Sequence, residues 1–261
     1  SEMCIRDRSI NARRTIDTLL KLGIVPIVNE NDTIATTEIR YGDNDRLASR
    51  VAQISSSDCL ILLSNINGLY SADPTNGEDI QLIPTVKEID QDIEKMIGES
   101  ISKYGKGGMK TKIQAAKTAM LSGCHLAITN GSIMKPIRSL FEGRPCTWFE
   151  PNKSPMAARK QWIAGTMNPV GKLLIDQGAA DALKKGSSLL PAGVKMIEGV
   201  FERGDVIEVC TEDNKKIGIG LAGYSSTASK SIMGHKSDEI ANILSYSYRE
   251  EMIHKDDLVL L

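Results

Sequence analysis

The chain has 261 residues, 41% of them hydrophobic and 25% charged, with a formal net charge of −1. That is room for one large domain or two ordinary ones, and so small a net charge argues against a global field drawing the protein onto nucleic acid or an anionic membrane. No apolar run approaches the roughly 20 residues that span a bilayer, and five scattered cysteines with no CxxC pairing argue against a disulfide framework or a zinc site; a reducing, cytoplasmic setting is expected.

Residues 1–8 (SEMCIRDR) fit no neighbouring pattern and read as adaptor-derived, with native sequence expected to resume near Ser9 or Ile10. Residues 9–22 carry Ile16, Leu19 and Leu20 at helical spacing and stop at Gly23. The apolar run at 25–28 predicts a short buried strand, and a polar loop follows to Asp45. Residues 46–54 return to helical spacing through Leu47, Val51 and Ile54, and the continuous run 59–63 predicts a strand covered on both faces. After an irregular stretch with a short helix expected at 88–97, a glycine loop leads into a helix at 110–121 with Ile113, Ala116 and Met120 in line, then a buried strand at 125–129. Apolar strands alternating with helices predict a layered α/β domain with a mainly parallel sheet.

Beyond a polar connector the pattern changes. Short, turn-separated strands are expected at 172–175, 199–201, 206–210, 217–221 and 258–261, with helices only at 179–185 and 237–243. This predicts a small mixed β domain closed, or nearly closed, into a barrel. The boundaries are set at 1–153 for the first domain, 154–160 for the linker and 161–261 for the second.

The strongest chemical signal is Gly105-Lys106-Gly107-Gly108-Met109-Lys110-Thr111-Lys112. Glycines let a backbone approach a ligand, a helix start presents unpaired N–H groups, and three lysines add charge, a combination suited to nucleotide phosphates. It is not a Walker A loop, because Lys110 stands where the second glycine belongs. A second constellation, Asn29-Glu30-Asn31-Asp32 with Glu38 and Gly42-Asp43-Asn44-Asp45, gathers acceptors where a strand gives way to a helix. Ordinary turn and cap work accounts for such residues equally well. A third, Ser64-Asn65-Ile66-Asn67-Gly68, follows the second strand and offers polar groups to an adenine or ribose, or makes a plain turn. Gly218-Ile219-Gly220-Leu221-Ala222-Gly223 fits GxGxxG but lacks the βαβ context, so close packing explains it better. The three histidines, His125, His235 and His254, read as structural, and no metal-ligand set is expected.

In their order, VPIVNENDTIATTEIRYGDND (25–45), LLSNINGLYSADP (62–74) and GKGGMKTK (105–112) resemble the amino-acid kinase family in its glutamate 5-kinase branch. DQGAA (176–180), GSSLLPAG (186–193), GVFERG (199–204) and HKDD (254–257) resemble the PUA domain appended to many such kinases. The resemblance covers everything after Arg8. It implies a three-layer α-β-α sandwich, incomplete here, followed by a small β-barrel-like PUA domain. It also implies ATP-dependent phosphorylation of the γ-carboxylate of L-glutamate, the first step of proline biosynthesis, with Mg²⁺ carried on the nucleotide.

By position, the resemblance makes Asp32 and Asn44 glutamate-binding and Asp45 the organiser of the catalytic lysines. Ser64 and Asn65 become the first ATP contact, and Lys106, Gly107, Gly108, Met109, Lys110, Thr111 and Lys112 the second, with Lys112 stabilising the transferring phosphoryl group. Asn65 departs from an aspartate common in the family, and Lys106 from a threonine of some members. The family's opening phosphate and substrate loops have no counterpart, so the chain is expected to be N-terminally truncated and inactive alone. A homo-oligomer is expected at full length. Competing readings are a different acceptor, such as N-acetylglutamate or aspartate, and an RNA-binding PUA protein. Against the latter, residues 161–261 carry 11 Lys+Arg and 14 Asp+Glu, a net of 11 − 14 = −3.

Overall fold

The computed structural model describes residues 2–29, 44–72, 80–94, 108–166, 168–245 and 249–261. Within it the chain divides into two compact units, residues 12–158 and residues 159–261 together with 1–11.

The first unit begins in α1 (Glu2–Lys21). It contains α2 (Asn44–Ser55), β1 (Cys59–Ser64), β2 (Thr85–Val86), α3 (Gly108–Leu121), β3 (His125–Asn130), α4 (Pro136–Phe141) and β4 (Cys146–Phe149). Its sheet has the order β1-β3-β4-β2. Strands β1 and β3 run parallel, as do β2 and β4, while β3 and β4 are antiparallel. The sheet is therefore mixed, with two of three pairings parallel.

Helix α3 explains why this unit holds together. Its buried positions are Thr111, Ile113, Ala115, Ala116 and Ala119, more than the single stripe its apolar periodicity predicts. The line 111/115/119 turns toward α2, as the contact of Thr111 with Asp45 requires, and small side chains there let two helices approach closely. Opposite them α2 offers Ser49 and Ala52. Ile113, Leu126, Ile128 and Phe149 form the middle of the core. Gly123, at φ +76°, ends the helix, and a Cβ there would lie 2.5 Å from the Ser154 backbone.

Two expectations fail in this unit. Residues 25–28 pair with no strand among the described residues, and Val25 and Ile27 are 81% and 93% exposed; an apolar run becomes a buried strand only where neighbours supply ladder partners and cover. For the same reason β1 is not covered on both faces, since Leu62 is buried but Leu63 is 49% exposed. The helix expected around 88–97 is helical at 91–94, while 95–97 lie outside the described residues.

Helix α5 (Pro155–Thr166) occupies most of the expected connector. The second unit then holds β5 (Gly171–Ile175), α6 (Gln177–Lys184), β6 (Val194–Gly199), β7 (Val206–Thr211), β8 (Lys216–Leu221), α7 (Ser226–Ile232), α8 (Ile240–Leu244) and β9 (Leu258–Leu260). Its sheet, ordered β6-β5-β7-β8-β9, is open, so the expected barrel is not closed among the described strands. The strand expected at 199–201 lies earlier, as β6: Gly199 takes φ +87° and turns the chain out, and Phe201 leaves the sheet to enter the core. Helix α7 escapes the periodicity reading, because its buried face is Ser226, Ala228, Ser229 and Ile232, mostly small or polar.

The GxGxxG segment falls on β8 and its exit. A Cβ at Gly218 would lie 2.7 Å from the Val259 carbonyl, and one at Gly223 2.7 Å from the Glu251 carbonyl. Close backbone approach, as expected, accounts for these glycines.

Candidate functional site

Chain direction places the candidate residues. Only three residues separate the end of α2 from β1, and three the end of α3 from β3. Each helix therefore runs back along its strand and begins level with that strand's C-terminal end. The starts of α2 (Asn44, Asp45) and α3 (Gly108 to Lys112) thus lie on the edge where Ser64 and Asn65 leave β1 and Asn130 leaves β3. In an open α/β sheet that edge is where ligands bind.

At this edge Asp45 Oδ2 accepts a hydrogen bond from Lys112 Nζ at 2.9 Å and another from Thr111 Oγ1 at 3.1 Å. The Asp45 and Lys112 side chains are 16% and 17% exposed, sheltered enough for the pair to be held in place and open enough to reach a ligand. Thr111 Oγ1 also lies 3.0 Å from the Gly108 carbonyl, which ties the side chain to the first turn of α3. The N–H groups of that turn have no partners within the helix and carry the positive end of its dipole. One rung further along, Arg46 Nη2 donates to Gln114 Oε1 at 2.6 Å.

Asn44 is the exposed first residue of α2, and Lys110 is exposed on α3. Met109 instead packs against the core. Ser64 and Asn65 touch one another, Oγ to Oδ1 at 3.3 Å, and the Gly131 N–H donates to the Ser64 carbonyl at 2.7 Å. Asp32, Lys106 and Gly107 lie outside the described residues.

Sequence reasoning passed over the turn after β3. There Asn130 Oδ1 accepts the Ser132 N–H at 2.8 Å, on the same edge as Ser64. The available signal was polar residues directly after a buried strand, the cue used for Asn65. It also passed over Arg46, Gln114 and Thr147, whose partners lie more than 60 residues away in sequence.

The histidines do local work: His235 contacts Glu239, and His254 Nδ1 accepts the Asp256 N–H. Among the described residues no group of three or more His, Cys, Asp or Glu side chains could hold a metal ion. No described helix is long and apolar enough to cross a membrane.

The amino acid kinase family model matches residues 3–130, and the PUA domain model residues 171–244. The chain is 54% identical over 255 residues to the glutamate 5-kinase of Paramagnetospirillum magneticum, covering 98% of this chain and 69% of that protein. It is 52% identical to the glutamate 5-kinase of Allorhizobium ampelinum, covering 98% of this chain and 65% of that protein. Among solved structures, UMP kinase from Ureaplasma parvum aligns with 13% identity and a TM-score of 0.35, over 53% of this chain and 52% of that one. The chain thus spans about two thirds of the length of the curated relatives it matches.

Proposed function

The chain belongs to the glutamate 5-kinase family, and from that premise we propose that it carries the catalytic edge of an enzyme that moves the γ-phosphoryl group of ATP onto the side-chain carboxylate of L-glutamate. A carboxylate oxygen attacks the γ-phosphorus, an O–P bond forms, and the bond from phosphorus to the β,γ-bridging oxygen breaks. The products are an acyl phosphate and ADP. The nucleophile has a pKa of about 4.3 and is already ionised at neutral pH, so no proton must be removed. An edge without a described histidine is compatible with that chemistry.

The observation that carries the reading is the Lys112–Asp45–Thr111 contact at the start of α3. Negative charge spreads over the equatorial oxygens as the phosphoryl group transfers, and fixed cations and N–H dipoles stabilise it. Lys112 supplies the cation and Asp45 aims it. Gly108 to Thr111 supply helix-start N–H groups, with Lys106 and Gly107 leading into them. Ser64 and Asn65 contact the nucleotide, and Asp32 and Asn44 receive the amino acid. Asp45 is the one carboxylate among the described site residues and is already engaged by Lys112. Mg²⁺ therefore fits best as a passenger on the ATP phosphates, which it neutralises in part.

The test is hydroxylamine trapping of acyl phosphate by the full-length kinase from its native gene, offered L-glutamate, N-acetylglutamate or L-aspartate. Product with L-glutamate in preference to the others is expected. Preference for another acceptor, or an undiminished rate in Lys112→Ala, would overturn the assignment.

A nucleic-acid role is less well supported. The exposed face of the PUA sheet neutralises itself across strands: Lys172 reaches Glu198 at 3.0 Å and Lys216 reaches Glu208 at 2.8 Å, with Lys172 and Glu208 in register. Such a row leaves little unpaired positive charge for a phosphate backbone. Salt-sensitive, tight RNA binding in a filter titration would reverse this ranking. We also place the domain division at residues 154–160 and the enzyme in the cytoplasm.

A further inference from the structure

We propose that Thr147 is a positioning residue for the nucleotide-contacting loop that runs from Ser64 to Leu69. It stands on β4, fully buried, and belongs to none of the segments assigned to either substrate. Its hydroxyl accepts the Leu69 N–H at 2.7 Å and donates to the Ile83 carbonyl at 2.7 Å. The Ile83 N–H in turn donates to the Leu69 carbonyl at 2.9 Å. One hydroxyl thus closes a ring of three hydrogen bonds joining β4, the end of the loop and the segment leading into β2.

The loop is tied at both ends. At its start the Gly131 N–H holds the Ser64 carbonyl at 2.7 Å, and at its end Thr147 holds Leu69, which is 2% exposed. Gly68 shows how closely the second tie is fitted: a Cβ there would lie 2.4 Å from Thr147 Oγ1 and 2.9 Å from the Thr147 amide nitrogen. Between these anchors Ser64 and Asn65 have little freedom to drift, which is what a loop that meets a nucleotide needs. Replacing the hydroxyl by a methyl group keeps the side chain's shape but leaves a buried N–H and a part-buried C=O without this partner, so the loop should relax to pair them elsewhere.

The proposal rests on the reading that Ser64 and Asn65 contact ATP, and the experiment separates the two. In the full-length kinase, Thr147→Val, Thr147→Ser and Asn65→Ala are compared for kcat, KM for ATP, KM for L-glutamate and Kd for AMP-PNP. Thr147→Val is expected to raise KM for ATP and Kd for AMP-PNP about tenfold, with KM for glutamate changed less than about twofold. Thr147→Ser, which keeps the hydroxyl, is expected to stay near the wild-type values. If Thr147→Val does not fold, Thr147→Cys, with its weak donor and acceptor, replaces it and should show a rise of about threefold. Equal loss of affinity for both substrates, an unchanged KM for ATP in the valine or cysteine variant, or a serine variant as impaired as the valine would overturn the proposal. If Asn65→Ala raises KM for ATP and Thr147→Val does not, only the positioning role falls. If Asn65→Ala also leaves it unchanged, the loop assignment falls with it.

Discussion

Arg46 Nη2 donates to Gln114 Oε1 at 2.6 Å, on the rung next to the one where Asp45 receives Lys112. Two adjacent polar rungs therefore join α2 to α3 at the end where both helices begin. The buried residues of the two helices are otherwise mostly small, which allows close approach but does not fix the rotation of one helix about its axis. The polar rungs do. Gln114→Ala is expected to destabilise the protein by about 1.5–3 kcal/mol, the worth of a hydrogen bond to a charged group. A double-mutant cycle with Arg46→Ala in urea denaturation should return a coupling of at least about 0.5 kcal/mol. Strictly additive losses would show that the rung has no energetic content.

Lys112 and Asp45 should act as a unit in catalysis. Lys112→Ala is expected to lower kcat by about 10²–10³, with a much smaller change in KM for glutamate. Asp45→Asn should cost a similar factor, because the lysine loses its anchor. The double variant should be little worse than either single one. Steady-state kinetics of the three proteins checks this, and multiplying losses would mean that the two side chains serve separate steps.

Two glycines with the same backbone sign should respond differently to a methyl group. Gly143 has φ +85° with nothing within 4 Å of the place a Cβ would take, whereas Gly123 has φ +76° with Ser154 and Pro155 backbone atoms at 2.5–2.6 Å. Gly143→Ala should cost about 1–2 kcal/mol, the left-handed penalty alone. Gly123→Ala should cost a further 1–3 kcal/mol or so from overpacking. Thermal denaturation of both variants tests the difference, and equal costs would contradict it.

In the PUA unit Asp257 sits between two arginines. Arg159 donates to Oδ1 through Nε at 2.8 Å and Nη2 at 2.6 Å, and Arg249 Nη1 donates to Oδ2 at 3.3 Å. The Asp257 side chain is 8% exposed. Removing it would leave two guanidinium groups facing each other in a sheltered place, so Asp257→Ala should cost about 3–5 kcal/mol. Chemical denaturation followed by circular dichroism reads this directly; a cost below 1 kcal/mol or so would show that solvent already screens the cluster.

Asp176 caps α6, accepting the Ala179 N–H at 2.8 Å. That N–H, and then Lys195, hold its carboxyl below the usual carboxylate range. A depressed folded pKa contributes stability that is present above the unfolded value of about 3.9 and is lost as pH falls through the lower folded value. Asp176→Ala should cost about 1 kcal/mol at pH 7, and the gap from wild type should shrink as pH falls below about 4. Asp176→Asn, an equally good cap, should keep most of the stability and lose that pH dependence. A gap for the alanine variant that stays constant down to pH 2 or so would contradict the linkage.

Cysteine reactivity offers a check on burial. The Cys124 thiol is pushed up to about 12, chiefly by burial and then by Cys59 and Asp58. At pH 8 it should resist iodoacetamide in the folded protein and react after denaturation, as peptide-resolved mass spectrometry would show.

Periodicity and punctuation alone located α2, α3, β1 and β3, because each has a strong apolar pattern closed by a glycine or a polar turn. The ordered motifs carried the family. Periodicity erred where an element's fate depends on its neighbours. Residues 25–28 are apolar enough for a core strand yet lie mostly exposed, while α7 is small and polar yet lies buried. The open PUA sheet was decided the same way, since strand propensity does not say whether the two outermost strands will meet.

What the sequence by itself determined is chemistry that travels with residue type: a glycine–lysine loop before a helix, acceptors after strands, and few histidines. Only the tertiary structure decided which of these groups meet. Asp45 and Lys112 are 67 residues apart in the chain, and Thr147 is 78 residues from the amide it holds. The first contact arises because two helices run back along two parallel strands and begin at one edge, the second because β4 pairs into the sheet between β3 and β2. Local pattern cannot encode that proximity, because it is a property of packing between segments rather than of any segment alone.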